Sequence, residues 1–454
     1  MGQWYGTRGL TLSAVALLVL SGCMTSGTES GSGSGTSLGT GASAGTGAGK
    51  NEVSRFAGRT GGIGAEATDE SRSVIISALQ ARQSVLTGGG AYDTVAGAVL
   101  AANSRTAEAD LRAARLRAQA ASRNWLPRIG PNISLTSLSD IVATIFVEQV
   151  LFDHGRLKAE RRFAKHDVEV AAVGLAEDTN ARVETALSLY LDMVEARERT
   201  ALDARTYKDM QHFEWVMSER VKGGVSDPSD LNVLRAKLAG IQAGLGAARE
   251  KGQASLAELN AMASLPLGDV TGTSDVTLPG GVKPLSVLRA EAERDRDIAQ
   301  AQVDRAGLLP GLTASGTTGT SSGGPTVTAG GGALIGFGTG ASLRAIEAAR
   351  DAADRRVTQA REDSDRALRR LEARVGALSR QSAEAASLTA QAKANLDLFR
   401  RQYDAGQRQV MDVVGVYETF AARESSAVAL KYDLARARLE MARRMGVLAD
   451  GGDI

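Results

Sequence analysis

"KGGVSDPSDL", Lys222 to Leu231, is the one place where proline interrupts a very long helical pattern. Lys222-Gly223-Gly224 supplies the residue types that end a helix, and Asp227-Pro228 turns the chain. Leu231, Leu234 and Leu238 then restart an apolar stripe at spacings of three and four, with Asp227 or Ser229 placed to cap it. The stretch predicts the tip of a helical hairpin. Upstream, no proline occurs from Asp153 to Lys222, while small or apolar residues recur at Ala164, Val168, Leu175, Thr179, Val183, Ala186, Tyr190 and Val194. That periodicity resembles a coiled-coil seam, and at a rise of about 1.5 Å per residue the helix is roughly 100 Å long. A globular domain has no need of such a rod.

The same tip occurs twice. Gly224 and Asp230 recur as Gly406 and Asp412, both offset by 182, and Pro127 of "NWLPRI" recurs as Pro310 of "GLLPGL", offset by 183. Asp404-Ala405-Gly406 marks the second tip, and a second seam runs through Ile346, Ala353, Val357, Ser364, Leu368, Leu371, Val375 and Leu378. Offsets this uniform across nearly a hundred residues imply two copies of one structural unit. Each copy opens with an apolar-periodic helix, from about Ala91 to Asn124 in the first, which stops ahead of Pro127. Two strand-like segments follow. In copy one they lie within Ile129 to Phe152, as "NISLTSL" and "ATIFVEQVLF"; in copy two they are "GLTASGTTG" and "PTVTAGGGALIGFG", with a period of two. Pro266, Pro279 and Pro284 fall in or beside the segment between the copies, which is predicted as loop.

The N-terminus has the pattern of an address. Arg8 precedes an apolar run, Leu10 to Leu20, too short to span a membrane, and "LSGC" resembles a bacterial lipobox whose cysteine, Cys23, is lipidated. Cys23 is the only cysteine, so no disulfide within the chain is possible. The expected organisation is a lipoprotein signal peptide (1–22), a lipid-anchored Gly/Ser/Thr-rich tether (23–70), a first repeat (71–264), a linker (265–284), a second repeat (285–448) and a C-terminal tail (449–454).

Composition narrows the function classes. With 53 basic and 52 acidic residues, the net charge of +1 gives no electrostatic reason to bind nucleic acid. Aromatics are only 4% of the chain, which suits long helices packed through small residues. His154, His166 and His212 do not cluster with one another and have no cysteine partners, so no metal site is expected; no nucleophile constellation or nucleotide loop is present either, and no cofactor is expected. The arginine-rich "RALRRLEARVGALSR" is predicted as a solvated helix face.

Four short strands beside two long hairpins cannot stand alone in lipid, because open edges leave backbone donors and acceptors unpaired. A barrel has to close between subunits. Strand arithmetic allows a dimer with eight strands or a trimer with twelve.

The arrangement resembles the TolC-type outer membrane efflux protein family, in its lipid-anchored branch, over about Ala91 to Leu448. That family's strand-to-helix motif stands here as "LFDHGR", in which Phe152, Asp153, Gly155 and Arg156 form the junction and Asp153 is placed as an N-cap. Its tip pattern is divided between the copies as Arg220, Gly224 and Asp230, and as Tyr403, Gly406 and Asp412. The resemblance implies a mainly α fold with a small β part. It implies a homotrimer whose 12-stranded β-barrel in the outer membrane continues into a 12-helix α-barrel in the periplasm. It also implies a periplasmic adaptor at the tips, an inner-membrane pump, and a passive exit duct for efflux or type I secretion. On that basis Asp230 and Asp412 are candidates for a tip constriction or an adaptor contact; the alternative is that each caps or solvates a helix turn. Copy two lacks the junction Asp and Arg, having "GFGTGAS", and carries Gly415 where some relatives have a second tip acid. Two other classes are a periplasmic coiled-coil lipoprotein, acting as adaptor or rod, and an exported enzyme on a helical scaffold. The first leaves the paired β segments unexplained, and the second has no constellation to support it.

Overall fold

The computed structural model describes residues 73–102, 106–137, 140–319, 325–329 and 336–453. The signal segment, Cys23 and the tether lie outside the described residues. In order, the chain forms α1 (Val74–Gln80), α2 (Ala91–Ala101), α3 (Thr106–Ser122), β1 (Arg128–Ser137), β2 (Asp140–Phe152), α4 (Arg156–Lys222) and α5 (Pro228–Met262). The second copy supplies α6 (Leu285–Gly307), β3 (Leu312–Gly319), β4 (Pro325–Ala329), α7 (Thr339–Asp404) and α8 (Val410–Met445), and a 3₁₀ turn, Gly451–Asp453, follows. The structure corrects the first expected helix, because Ala91 to Asn124 is not one element: α2 ends at Ala101, where Ala102 leaves helical geometry with ψ 89°.

α4 is the spine, and three apolar clusters follow one another along it. Val168, Ala172 and Val173 pack with Ile75, Ile76 and Leu79 of α1 and with Leu285 and Leu288 of α6. Val183, Leu187, Tyr190 and Leu191 pack with Tyr92 and Val95 of α2 and with Tyr432 and Leu439 of α8. Met210, Phe213 and Met217 pack with Leu231 and Leu234 of α5 and with Val410, Val413 and Tyr417 of α8. Both hairpins therefore share one core at their tips. The two long helices differ sharply in what they bury: α4 buries 24 of its residues, whereas α7 buries only Ala353, Val357, Ser364, Leu371 and Leu396. Among the described residues only α6 and α8 cover α7 extensively, so Ile346, Leu368, Val375 and Leu378 stay half-buried.

The linker has no regular secondary structure, yet it is not loose, since Leu267 and Val276 enter the central core. The segment after α8 is also packed: Gly451 N donates to Arg82 O at 3.0 Å, and the Asp450 carboxylate accepts from Ser84 N at 2.7 Å.

α1 is fixed by its cap. Ser73 Oγ accepts from Ile76 N and donates to the buried Glu169 carboxylate at 2.7 Å, whose other oxygen meets His166 Nδ1 at 2.8 Å. Burial works to raise the Glu169 carboxyl, but the bonds from His166 and Ser73 outweigh it and the net direction is down. A depressed acid stabilises the fold above its unfolded pKa, about 4.3, and that contribution is lost as pH falls through the folded value. Acidification from pH 5 to 3 is thus expected to loosen α1, and Glu169→Gln to flatten that part of the pH dependence, read as proteolysis near Gln80. Equal acid sensitivity in both proteins would remove Glu169 as the cause.

Candidate functional site

The four strands form one antiparallel sheet in the order β1-β2-β3-β4, so the copies join through β2 and β3, and β1 and β4 each keep an edge with no partner among the described residues. Cross-strand partners share a face. Arg128 pairs with Glu148, Glu148 with Ser315 and Ser315 with Thr326; Thr144, Phe146, Val150, Thr313 and Thr317 lie on that same face. It is mostly polar, and Ser315 Oγ and Thr326 Oγ1 stand 3.3 Å apart. The opposite face carries Ile129, Pro131, Ile145, Val147, Gln149, Ala314 and Val327. It is mostly apolar, yet Ile129 is 71% exposed, Ile145 51% and Val327 66%. Glu148, isolated among apolar residues along the chain, lies across the register on the polar face between Arg128 and Ser315. Three exposed aromatics lie where sheet meets helices, Trp125 ahead of β1, Phe152 ending β2 and Phe337 ahead of α7, while a fourth, Trp215, lies far along α4.

The junction motif works as a turn. His154 (φ 52°) and Gly155 (φ 86°) are both left-handed, and Asp153 accepts from Gly155 N at 3.0 Å and from Leu157 N at 2.7 Å. This corrects the capping expectation in detail: Gly155 occupies the N-cap position and makes no side-chain bond, while Asp153 satisfies the first turn from two residues further out. His154 Nε2 meets Pro310 O at 3.1 Å, joining the repeats, and Arg156 lies 3.8 Å from Glu160. At the second junction Gly338 has no side-chain cap, as the missing aspartate requires.

Both tips close alike. Val225 N donates to Arg220 O and Gly224 N to Val221 O; Gln407 N donates to Gln402 O and Gly406 N to Tyr403 O. This is the Schellman closure, in which the residue after the cap is left-handed, and Gly224 and Gly406 have φ 70° and 74°. A side chain there costs about 1 kcal/mol. Gly224→Ala and Gly406→Ala are each expected to destabilise by that amount, in additive fashion, measured by denaturant unfolding of the detergent-solubilised protein.

The capping positions, matched in sequence, differ in chemistry. Asp227 caps α5, accepting from Ser229 N at 2.8 Å, and Pro228 takes the first helical position. Its counterpart Gln409 forms a capping box with Asp412, whose carboxylate accepts from Gln409 N at 3.2 Å. Asp230 has no hydrogen bond or ion pair among the described residues. Asp412→Ala should therefore cost about 1 kcal/mol, whereas Asp230→Ala should leave stability unchanged. Similar losses in thermal unfolding would contradict the distinction.

The tips are brought together laterally. Tyr403 packs edge-on against Phe213 at 6.3 Å between centroids, and Arg220 Nε donates to Ser226 Oγ at 3.2 Å. Sequence reasoning missed the network that ties the hairpins: Asp209 accepts from Arg400 at 2.7 Å and from Tyr417 OH at 2.9 Å, and Lys237 reaches Glu418 at 2.5 Å. Burial and the Asp209 bond hold the Tyr417 phenol up at about 12. No spacing rule could have found these pairs, because their partners lie on different helices. His166, Glu169 and Asp295 also meet, with one donor atom of each within 4.8 Å of the others. Each already has a partner, Asp295 being held by Arg294 at 2.6 Å, so the cluster is occupied by its own hydrogen bonds.

No known sequence family and no curated protein matches the chain. Solved structures do. A membrane protein from Pseudomonas aeruginosa aligns with a TM-score of 0.69 at 16% identity, covering 82% of this chain and 93% of its own. The Campylobacter jejuni CmeC outer membrane channel gives 0.66 at 13%, covering 80% and 86%, and the open state of the Neisseria gonorrhoeae MtrE outer membrane channel gives 0.64 at 15%, covering 82% and 96%. The chain has the TolC-type outer-membrane channel fold.

Proposed function

We propose that this chain is one protomer of an outer-membrane exit duct for efflux or type I secretion. Three copies pair β1 and β4 edges into a twelve-stranded barrel, and their hairpins continue it as a tube of twelve helices into the periplasm. Cys23 carries a lipid anchor. The tips around Arg220, Gly224, Asp230, Tyr403, Gly406 and Asp412 meet a periplasmic adaptor, and an inner-membrane pump supplies substrate and energy. The duct itself conducts passively and catalyses nothing.

The observation that carries this reading is the two-faced sheet with two edges that have no partner among the described residues. An exposed apolar face suits lipid, a polar face suits a water-filled lumen, and free edges are tolerable in lipid only when another subunit closes them. The aromatics at the sheet-helix boundary suit a membrane interface. Among the described residues no helix is long and apolar enough to cross a membrane, which leaves the strands as the spanning element of this reading. The thinly covered α7 is where a neighbouring protomer would pack.

The deciding experiment is the native mass of Cys23→Ala protein extracted from outer membranes, followed by conductance across a planar bilayer. The expected result is a detergent-bound trimer that conducts. A monomer or dimer soluble without detergent would overturn the duct and favour a lipid-anchored periplasmic rod.

A further inference from the structure

We infer that the start of α4, next to the sheet, carries a binding surface for anionic phospholipid headgroups, formed by Lys158, Arg161 and Arg162 and extended by Lys165. The direction in which this surface looks rests on the duct reading; its charge does not.

The N-terminal end of a helix is its positive end and favours acids. The first ten residues of α4, Arg156 to Lys165, instead hold five cations and one acid. The fold does not require this, because the first ten residues of α7, its repeat, hold only Arg344 and Glu347. The one acid, Glu160, is turned toward α3: it accepts from Asn124 Nδ2 at 3.1 Å and lies 3.8 Å from Arg156. The other four cations share a different face, where Lys158, Arg162 and Lys165 follow one another at spacings of four and three, with Arg161 beside them. Lys158 and Arg162 are exposed and Arg161 is half-buried. Lys158 and Arg161 make no hydrogen bond or ion pair among the described residues, and Arg162 donates only to the neutral amide oxygen of Gln302, at 3.3 Å. The positive charge of these three is therefore not balanced by the protein around them.

Position selects the partner. Glu169 comes four residues after Lys165 on the same face, and there it accepts from Ser73, the cap of α1. α1 thus lies on this face of α4, further from the sheet. It is also where the chain arrives from Cys23, and a lipid-bearing segment reaches a membrane-embedded tube from outside its lumen. The cationic face accordingly looks outward. Phe152 ends β2 and α4 begins at Arg156. At about 1.5 Å per residue, Lys158, Arg161 and Arg162 lie within about 10 Å of the helix start. A headgroup layer is roughly 5–8 Å thick, and long cationic side chains cover the difference. Clustered lysine and arginine at a membrane surface attract anionic lipid, and the guanidinium fork matches a phosphate. A zwitterionic headgroup brings its own cation and gains less.

The test equilibrates full-length Cys23→Ala protein in detergent micelles containing equal amounts of phosphatidylglycerol and phosphatidylethanolamine, and counts the lipid retained per chain after size exclusion. Phosphatidylglycerol should be retained at least threefold over phosphatidylethanolamine, and the preference should shrink at 1 M salt. It should vanish when Lys158→Gln, Arg161→Gln and Arg162→Gln are combined. It should persist when Lys158→Arg, Arg161→Lys and Arg162→Lys are combined, which keeps the charge and so separates charge from folding. Arg366→Gln, Arg369→Gln and Arg370→Gln together, far along α7, should leave it unchanged. Equal retention of the two lipids by the parent, a preference that survives the glutamine triple on α4, or an equal loss in the α7 triple overturns the inference. The protein mass in the same run reads the duct separately. A trimer without lipid preference overturns this surface alone, whereas a monomer that keeps the preference supports the surface and overturns the duct.

Discussion

Arg82→Ala is expected to release α1 and the segment after α8 from the body, at a cost on the order of 3 kcal/mol. Arg82 is buried and gathers three carbonyls from distant parts of the chain: NH1 donates to Met445 O at 2.5 Å and Gly446 O at 3.2 Å, and NH2 to Lys283 O at 2.7 Å. Two of these carbonyls lie at the C-terminus of α8, where the helix dipole favours a cation. Burial lowers the guanidinium to about 10, which still leaves it charged at neutral pH. Gly446 admits the contact because it has φ 68° and no side chain; a Cβ there would lie 2.2 Å from Arg82 NH1. Removing the cation leaves carbonyls without donors, and a single lysine ammonium cannot reproduce the fork. At about 1.4 kcal/mol per tenfold, amide exchange in Val74–Gln80 and in the residues after Gly446 should accelerate on the order of a hundredfold, with little rescue by Arg82→Lys. Unchanged exchange would show that the clamp is not what holds the termini.

The second large effect concerns the face assignment, and through it the proposed duct. Ile145→Lys places a charge on the apolar, exposed face of β2, where lipid contact would cost about 2–4 kcal/mol near the bilayer midplane. Assembly into outer membranes is expected to fall at least tenfold. Ser315→Lys, on the polar face beside Glu148 and Thr326, should assemble normally and instead shift ion selectivity toward anions. The comparison separates the two faces within one sheet. Equal assembly of both variants, or failure of Ser315→Lys alone, would reverse or abolish the assignment.

Much of the tip was legible because its signals are local. Asp227-Pro228 caps and opens α5 through bonds within three residues, and Gly224 and Gly406 satisfy a left-handed position that only the adjacent turn dictates. The junction motif was legible for the same reason, apart from the shift of the cap to Gly155 that two consecutive left-handed residues impose. Asp230 and Asp412 show the limit. They are equivalent by offset, but the residue three positions earlier is Asp227 in one tip and Gln409 in the other; Asp227 caps alone, whereas Gln409 recruits Asp412 into a reciprocal box. The unbroken helix expected over Ala91 to Asn124 failed at Ala102, where periodicity gave no sign of a departure from helical dihedrals.

Sequence by itself determined the long helices, the strand-bearing segments, their order and the positions of both tips, but not α1 or the break between α2 and α3, since helix period, strand period, proline and glycine act over a few residues along the chain. Tertiary structure decided what depends on register and distance. Strand alternation shows that each strand has two faces, but only the pairing of Arg128 with Glu148, Ser315 and Thr326 shows which faces coincide. Likewise the Asp209, Arg400 and Tyr417 network and the unpartnered Tyr92 hydroxyl exist only because separate helices meet there. Hydrogen bonds and burial reward proximity in space, which local periodicity does not encode.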